Sequence, residues 1–303
     1  MQTSNQIHPL THKAGFINII GRPNVGKSTL SNSLVGERLS IISSKAQTTR
    51  HRILGIINGK DYQIVISDTP GFIQDPGYKL HKAMNKFVSS AIVDADVLLF
   101  VTDIYEKYEE DDELLKKISS LNIPLILVVN KIDQDFNNTA DSIVTDLSKR
   151  INPLKTIKIS ALDGDQVPDL IECIHKLLPE FPPYFPKDAL TDKPERFFIS
   201  EIIREKIFSN YRQEIPYSCE VVINSFKDRG DIIAIEAYIF VNRKTQKPIL
   251  IGRNASRIKK VGTEARIDIE KFVSKRVFLD LHVKVKEDWR EKDFLLKQFG
   301  YKG

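Results

Sequence analysis

The sequence predicts a doubly wound α/β domain followed by a smaller α+β domain. Three observations support this prediction: apolar runs that alternate with amphipathic stretches from residue 15 to 178, a proline-rich segment at 179–195, and a change in the pattern of elements after it. Short, continuous apolar runs are typical of parallel strands buried on both faces, and their alternation with helices is typical of a doubly wound sheet.

The first part of the chain contains five predicted strands and four predicted helices. The strands are GFINIIG, YQIVISD, DVLLFVTD, PLILVVNK and TIKISA, and the helices are KSTLSNSLVG, KLHKAMNKFVSSAI, DDELLKKISS and VPDLIECIHKLL. Ligands of such sheets bind beyond the carboxyl ends of the strands. The motifs described below follow those ends, which independently favours this fold.

The second part is predicted as a helix, a hairpin, a second helix and a final strand. SEIIREKIF forms the first helix, and CEVVINSF and DIIAIEAYIFV flank the turn KDRG. A buried helical stripe and an alternating apolar strand follow. The stripe consists of Ile258, Val261, Ala265, Ile269 and Phe272, and the strand presents Val277, Leu279, Leu281, Val283 and Val285 on one face.

These patterns define four predicted segments. They are an N-terminal tail at residues 1–14, the α/β domain at 15–178, a linker at 179–195 and the α+β domain at 196–303. The linker holds five of the 14 prolines. Proline lacks an amide donor and restricts the residue before it, so this segment is expected to be semi-rigid rather than helical.

Charge and composition narrow the possible classes of protein. Residues 1–195 carry 22 Lys+Arg and 25 Asp+Glu, a net −3, whereas residues 196–303 carry 23 and 15, a net +8. The basic second domain indicates an anionic partner. Two distant cysteines give no disulfide framework, and we find no signal sequence or membrane-spanning run. We therefore expect a cytoplasmic protein, and we expect it to be monomeric.

GRPNVGKS, residues 21–28, is predicted to be a phosphate-binding loop. It follows a strand and opens a helix, so successive amides and the helix N-terminus face a phosphate. Lys27 is expected to reach the β- and γ-phosphates, and the Ser28 hydroxyl to bind Mg²⁺. The loop residues expected to contact the nucleotide are Gly21, Arg22, Pro23, Asn24, Val25, Gly26, Lys27, Ser28 and Thr29.

Three further motifs predict a guanine nucleotide. Asp68 of DTPG is expected to hold a magnesium-bound water, and Gly71 to donate its amide to the γ-phosphate. Asp133 of NKID accepts from both N–H groups on the guanine edge, which adenine does not offer, so adenine is disfavoured by about 1–3 kcal/mol. Lys131 covers the base, and the Ala161 amide meets O6. The complete predicted set here is Asp68, Thr69, Pro70, Gly71, Phe72, Asn130, Lys131, Ile132, Asp133, Ser160, Ala161 and Leu162.

The stretch SKAQTTRHR, residues 44–52, is predicted to be the segment that senses magnesium. Thr49 is the first choice for the magnesium ligand, and Thr48 is the alternative. Phe72 occupies the place where some GTPases carry a water-orienting glutamine, and its side chain has no polar atom. We therefore predict slow intrinsic hydrolysis. The residues expected to act in it are Lys27, Thr49, Asn24 and Gly71.

The turn Gly252–Arg253–Asn254–Ala255 is similar to the glycine-containing turn with which KH domains hold single-stranded RNA. Ala255 stands where that turn has a second glycine. If Ala255 has helical backbone angles it opens the next helix without strain; otherwise the backbone angles are costly for alanine. Seven basic residues and no acidic ones lie between 241 and 260. The predicted RNA-binding residues are Gly252, Arg253, Asn254, Ala255, Arg257, Lys259 and Lys260.

Taken together, these motifs resemble the Era family of bacterial GTPases. The resemblance runs from about Gly15 to Tyr301 and includes GRPNVGKSTL, KAQTTRHRI, DTPG, NKID, SAL, SEIIREKI, GTEAR and VKVKEDW. It implies GTP or GDP with Mg²⁺, slow hydrolysis, and binding to the 3′ end of small-subunit ribosomal RNA during 30S maturation. It also implies partial peripheral association with the inner membrane. An asparagine at the position of Asn24 helps some related GTPases hold K⁺; the alternative is a turn-stabilising residue.

Two other functions remain open from the sequence. The chain could be a signalling switch whose second domain binds protein, or a GTPase that acts at a membrane surface through its basic face. His51 is expected to be a surface residue rather than a catalytic one. The acidic run YEEDDE, residues 108–113, is expected to be a solvated helix start.

Overall fold

The structure is a computed structural model that describes residues 12–43, 45 and 47–301. It divides the chain into two compact units. Among the described residues, the first unit contains 12–38, 53–69 and 89–192, and the second contains 39–43, 45, 47–52, 70–88 and 193–301. Most of the predicted tail, residues 1–11, and the last two residues of the predicted second domain lie outside the described residues.

A six-stranded sheet forms the centre of the first unit. Its strands are β1 (Lys13–Ile20), β2 (Ile53–Asn58), β3 (Tyr62–Asp68), β4 (Val97–Asp103), β5 (Leu125–Asn130) and β6 (Lys155–Lys158). The order is β2-β3-β1-β4-β5-β6, and all neighbours are parallel except β2 and β3. This confirms the predicted doubly wound fold. Strand β2 was not predicted: its apolar run is short and is interrupted by Gly55, and glycine is disfavoured within strands.

Among the described residues, four α-helices belong wholly to this unit: α1 (Lys27–Val35), α3 (Glu113–Ser119), α4 (Thr139–Ile151) and α5 (Val167–Leu177). Helix α2 (Lys79–Val93) is divided between the units, with residues 79–88 in the second and 89–93 in the first. Helix α4 was not predicted: it buries only Ala140, Leu147 and Ile151, too few apolar residues to stand out in the sequence. None of the described helices is long and apolar enough to cross a bilayer.

Up to residue 192, the predicted linker is hydrogen-bonded to strands of the six-stranded sheet. Gln63, fully buried on β3, accepts the amides of Tyr184 (2.8 Å) and Phe185 (3.0 Å) and donates to the Phe185 carbonyl (2.9 Å). The Ile56 amide donates to Leu190 (2.9 Å). These bonds satisfy a backbone that proline keeps out of regular structure.

The second unit is built on a three-stranded sheet. Its elements are α6 (Glu195–Asn210), α7 (Ile215–Ser218), β7 (Cys219–Asp228), β8 (Ile232–Val241), α8 (Gln246–Ile251), α9 (Ser256–Val273), β9 (Arg276–Val285) and α10 (Asp293–Gln298). Strands β7 and β8 form the predicted hairpin, and β9 pairs parallel with β8. The predicted α+β arrangement is confirmed.

Helix α9 and the sheet enclose the core of this unit. Val261, Ala265 and Ile269 are fully buried, as the predicted stripe requires. Phe272 is 42% exposed, so the prediction was wrong for this residue, which lies one position before the helix ends. Trp289 is completely buried and donates from its indole to the Ser218 carbonyl (3.0 Å).

Candidate guanine-nucleotide and RNA sites

The loop between β1 and α1 has the backbone of an anion-binding turn. Asn24 (φ 68°) and Gly26 (φ 95°) have left-handed backbone conformations, and Gly26 is the N-cap residue of α1. A Cβ atom on Gly26 would lie 2.1 Å from the Asn130 amide nitrogen, so only glycine fits. Left-handed residues turn successive amides toward one point, and the helix dipole favours an anion there.

Lys27 is buried beneath this loop. Its ammonium donates to the Arg22 carbonyl (2.6 Å). Burial lowers the pKa of Lys27 to about 8, although the negative charges of Asp68 and Glu106 oppose the shift. A phosphate in this loop would add negative charge and favour the charged lysine.

Asp68 lies at the carboxyl end of β3, next to β1, and is fully buried. Thr69 follows it and donates its hydroxyl to the Ile19 carbonyl (2.7 Å). A buried carboxylate with the hydroxyl of Ser28 in the first turn of α1 is the hard-oxygen donor set that Mg²⁺ prefers. The residues present therefore fit a magnesium ion bound together with a phosphate.

The NKID and SAL motifs meet the phosphate loop at the ends of β5 and β6. The Asn130 amide donates to the Val25 carbonyl (2.9 Å), and its oxygen accepts the Ala161 amide (2.9 Å). Lys131 has a left-handed backbone conformation, and its ammonium donates to the Asn24 carbonyl (2.9 Å). Asn130 thus joins three motifs that are far apart in the chain.

The remaining residues of these two motifs border the base position. The Ser160 hydroxyl accepts the Asp163 amide (3.2 Å), which fixes the turn that presents Ala161. Asp133 and Leu162 are exposed, so the carboxylate that is predicted to read guanine is accessible to a ligand.

The predicted magnesium-sensing and γ-phosphate residues belong to the second unit, which contains Thr48, Thr49, Gly71 and Phe72. Thr49 is buried and Thr48 is half-buried. The Thr48 carbonyl accepts a hydrogen bond from the guanidinium of Arg204, on α6.

Residues 39–52 are bonded to the helices and strand that begin the C-terminal domain. Arg50 is 2% exposed and donates to the carbonyls of Cys219 (2.7 Å) and Pro216 (3.0 Å) and to the Glu220 carboxylate (3.2 Å). Lys45 donates to the Tyr211 carbonyl (2.6 Å). This segment was predicted from the sequence, but its binding partners were not.

The segment at 70–88 packs within the same unit. Leu80 and Met84, on α2, share one apolar cluster with Trp289, Leu295 and Tyr301. The predicted magnesium-sensing stretch and Gly71 therefore both belong to the unit that contains the C-terminal domain.

The turn at Gly252 has unusual backbone geometry. Gly252 has φ 74° and ψ 170°, and both Asn254 (φ 52°, ψ 32°) and Ala255 (φ 58°, ψ 21°) are left-handed. Ala255 thus lacks the helical angles that would have made it a comfortable helix start. The left-handed conformation costs an alanine about 1 kcal/mol.

The turn is exposed and basic. It joins α8 to α9, and Arg253, Arg257, Lys259 and Lys260 are all exposed. Lys260 lies 3.8 Å from Glu264, a weak surface pair. An exposed basic turn between a short helix, α8, and a long one, α9, suits a nucleic-acid backbone.

The acidic run at 108–113 is not simply a solvated helix start. Asp112 is buried, caps α3 by accepting the Leu115 amide (3.0 Å), and pairs with Arg22. Arg22 also bonds Glu106 (3.1 Å) and lies 4.5 Å over the Tyr108 ring. The side chain of Arg22 is thus bound by these acidic and aromatic residues. Only the backbone of Arg22 lies in the phosphate loop.

His51 is not the surface residue that we expected. It stacks on Tyr301 with ring centroids 4.4 Å apart and meets the edge of Phe197 at 5.6 Å. Burial lowers the pKa of His51 to about 4, which leaves it neutral at physiological pH. These ring contacts give His51 a structural role.

This combination of a phosphate loop, a guanine-reading motif and a helix–turn–helix on a three-stranded sheet defines a P-loop GTPase with a KH domain. Family models agree: residues 16–131 match "50S ribosome-binding GTPase" and residues 214–290 match "KH domain".

Relatives and solved structures identify the family. The chain is 43% identical over 295 residues to GTPase Era of Carboxydothermus hydrogenoformans, covering 96% of this chain and 99% of that one. It is 45% identical over 298 residues to the chloroplastic GTPase ERA1 of Zea mays, covering 96% and 71%.

Two Era crystal structures each match with a TM-score of 0.90. An Aquifex aeolicus Era variant bound to GDP and AlF4⁻ is 38% identical and covers 95% of this chain and 99% of its own. An Era in complex with MgGDPNP and nucleotides 1506–1542 of 16S ribosomal RNA is 39% identical, covering 96% and 99%. The chain belongs to the Era family of GTPases.

Proposed function

We propose that this chain is a GTP-binding, slowly GTP-hydrolysing switch protein that binds the 3′ end of small-subunit ribosomal RNA and assists maturation of the 30S subunit. One observation carries this proposal. The segments at 39–52 and 70–88, which contain the predicted magnesium-sensing stretch and Gly71, belong to the unit that carries the basic turn at Gly252. A nucleotide that moves these segments therefore acts on contacts of the RNA-binding domain.

The nucleotide part of the proposal rests on the first unit. Residues 21–29 hold the phosphates, Asp68 and Ser28 hold Mg²⁺, and residues 130–133 with 160–162 read guanine. Thr49, which belongs to the second unit, is proposed as the magnesium ligand that responds to the γ-phosphate. The magnesium ion would neutralise charge that develops on the phosphates. Phe72 supplies no polar group to orient water, which is why we propose slow hydrolysis.

The RNA part rests on the exposed turn and on α9. Arg253 and Arg257 offer charge to the sugar-phosphate backbone, and the turn at Gly252 lets a strand approach closely. The related Era bound to MgGDPNP and 16S ribosomal RNA supports the transfer of both ligands to this chain.

The test is the RNA affinity of the full chain with GDPNP or with GDP. The probe is a short single strand that matches the 3′ end of small-subunit ribosomal RNA, and the control is a scrambled strand. We expect sequence-selective binding that is tighter with GDPNP. Equal affinity for both strands in both nucleotide states would refute RNA recognition and favour a protein-binding switch.

Hydrolysis is proposed to use a monovalent cation beside Asn24. Asn24 is exposed in the phosphate loop, which supports this role, and its left-handed angles also suit a turn residue. Turnover measured in KCl and in NaCl separates the two: faster turnover in K⁺ that is lost in Asn24→Ala supports the cation, and equal rates exclude it.

A second candidate location is the membrane surface. The exposed basic residues of α8 and α9 favour an anionic surface, and we propose a monomeric cytoplasmic protein with partial peripheral association. Flotation with vesicles that contain anionic lipid tests this. Recovery with the vesicles at physiological salt supports it, and absence from the vesicle fraction excludes it.

A further inference from the structure

Asp103, the last residue of β4, lies inside the nucleotide site, although no motif in the sequence drew attention to it. Its side chain is 4% exposed and ends 2.5 Å from the ammonium of Lys131. Lys131 is the residue that is proposed to cover the guanine base. A buried carboxylate at this distance forms a charge-assisted hydrogen bond, stronger than a neutral one.

The two oxygens of Asp103 do different things. Oδ1 accepts the amides of Tyr105 (2.9 Å) and Glu106 (3.0 Å), which caps the loop that follows β4. Oδ2 accepts from Lys131. The carboxylate is therefore held by the backbone on one side and holds the lysine on the other.

Lys131 is fixed at a second point by the phosphate loop. Its ammonium also donates to the Asn24 carbonyl (2.9 Å) and lies 5.6 Å from the Tyr105 ring. Tyr105 in turn donates to Gln134, in the turn after NKID (2.9 Å). With its ammonium held by Asp103 and Asn24, the aliphatic stem of Lys131 is held extended between the base loop and the phosphate loop.

We propose that Asp103 is a positioning residue for guanine-nucleotide binding, which acts by holding the ammonium of Lys131 so that the lysine stem is preorganised to cover the base. This inference rests on the proposed function, because it refines the same nucleotide site. Preorganisation of a long side chain removes part of the entropy cost of binding. Asp103 touches neither nucleotide nor reacting atoms, so it changes affinity and not the chemical step.

The experiment uses the full chain and four variants: Asp103→Asn, Lys131→Met, the double variant and Asp96→Asn. Asparagine keeps the oxygen that accepts the two loop amides and removes the charge that holds Lys131. Methionine keeps an apolar stem and removes the ammonium. Asp96 is the matched control: it immediately precedes β4, at the end opposite Asp103, and its carboxylate accepts the Phe16 amide (2.7 Å).

We expect Asp103→Asn to weaken the binding of fluorescent N-methylanthraniloyl-GDP about tenfold, as loss of a charge-assisted bond implies. The KM for GTP should rise by a similar factor while kcat stays within about twofold. The double variant should bind no worse than Lys131→Met, because both changes remove one interaction. Asp96→Asn should bind GDP like the unchanged protein.

Two results would overturn the inference. The first is an unchanged affinity for the fluorescent GDP in Asp103→Asn. The second is a double variant whose fold-loss in affinity equals the product of the losses in the two single variants. Should Asp103→Asn fail to fold, Asp103→Ser offers a neutral acceptor to the same amides and takes its place. Failure of the unchanged protein to bind the fluorescent GDP would instead refute the proposed function. The two failures are therefore distinguishable.

Discussion

At the scale of single residues, Ala255 carries a conformational cost. It is left-handed, as is Asn254 before it, and asparagine tolerates this region far better than alanine. We predict that Ala255→Gly stabilises the protein by about 1 kcal/mol, because glycine has no Cβ to clash. Urea unfolding measures this.

Asn254→Gly is the control for that change. Because asparagine already tolerates left-handed angles, it should gain only a few tenths of a kcal/mol. If Ala255→Gly destabilises the chain, the left-handed assignment is wrong. Tighter RNA binding by Ala255→Gly would show in addition that the methyl group obstructs the strand.

Lys27 gives a prediction about pH. Its pKa is lowered from 10.5 to about 8 by burial, so between these values the folded, nucleotide-free protein binds fewer protons than the unfolded chain. Its contribution to the free energy of unfolding therefore rises with pH across that window. A bound phosphate reverses the shift, so nucleotide binding at pH 8.5 should take up protons.

Titration calorimetry at pH 8.5 in two buffers of different ionisation enthalpy measures this uptake. Lys27→Arg is the control, because arginine stays charged and takes up no proton. Identical binding enthalpies of the unchanged protein in the two buffers would contradict the prediction.

His51 gives a second pH prediction, with a different window. Its pKa is lowered from 6.5 to about 4, so the unfolded chain binds the extra proton between these values. Stability present above pH 6.5 is lost as the pH falls toward 4. His81, whose pKa is also lowered to about 4, contributes in the same direction.

Chemical unfolding at several pH values between 4.5 and 7 measures the effect. His51→Gln removes the titrating group, so its free energy of unfolding should vary less with pH than that of the unchanged protein. Equal pH dependence in the two proteins would show that His51 titrates normally.

At the scale of elements, the segment at 39–52 is anchored by a buried ion pair. Arg50 and Glu220 are both buried, and Glu220 also accepts the Tyr301 hydroxyl (2.7 Å). Burial raises the pKa of Glu220, with the positive charges of Arg50 and Arg204 opposing. We predict that Arg50→Met destabilises the protein by about 3–5 kcal/mol, because it leaves a buried carboxylate without its main partner.

The double variant Arg50→Met with Glu220→Gln should recover most of that loss, since it removes both charges. Asp111→Asn is the surface control: Asp111 pairs with Lys116 in solvent, and removing this pair should leave the free energy of unfolding almost unchanged. Guanidinium unfolding compares all four proteins. A loss in Arg50→Met no larger than in Asp111→Asn would mean that the pair is hydrated.

Elements also differ in how well the sequence predicts them. Strands β4 and β5 are buried along their whole length, so their apolar runs are clear. Helix α4 exposes one face and its sequence is correspondingly mixed, whereas the short apolar run of the edge strand β2 is interrupted by Gly55. Phe272 was wrongly predicted to be buried, because the spacing of apolar residues along a helix does not show where the helix ceases to pack against the core.

At the scale of the whole molecule, nucleotide and RNA binding must be coupled equally in both directions. We predict that GDPNP tightens RNA binding about 5–150-fold relative to GDP, the usual range of such couplings, and that RNA raises the preference for GDPNP over GDP by the same factor. Fluorescence titration of each ligand with and without the other measures both sides. Coupling absent from both directions would mean that the segments at 39–52 and 70–88 do not transmit the nucleotide state.

The two-domain plan and the guanine-nucleotide motifs could be predicted without coordinates, because they depend on local patterns: buried runs, a phosphate loop, and short polar motifs at strand ends. How distant residues act on one another became visible in the folded chain. Asp103 near Lys131, Arg50 with Glu220, and His51 between aromatic rings are far apart in sequence or carry no motif. The left-handed angles of Ala255 likewise depend on the surrounding fold, since alanine alone would prefer a helix.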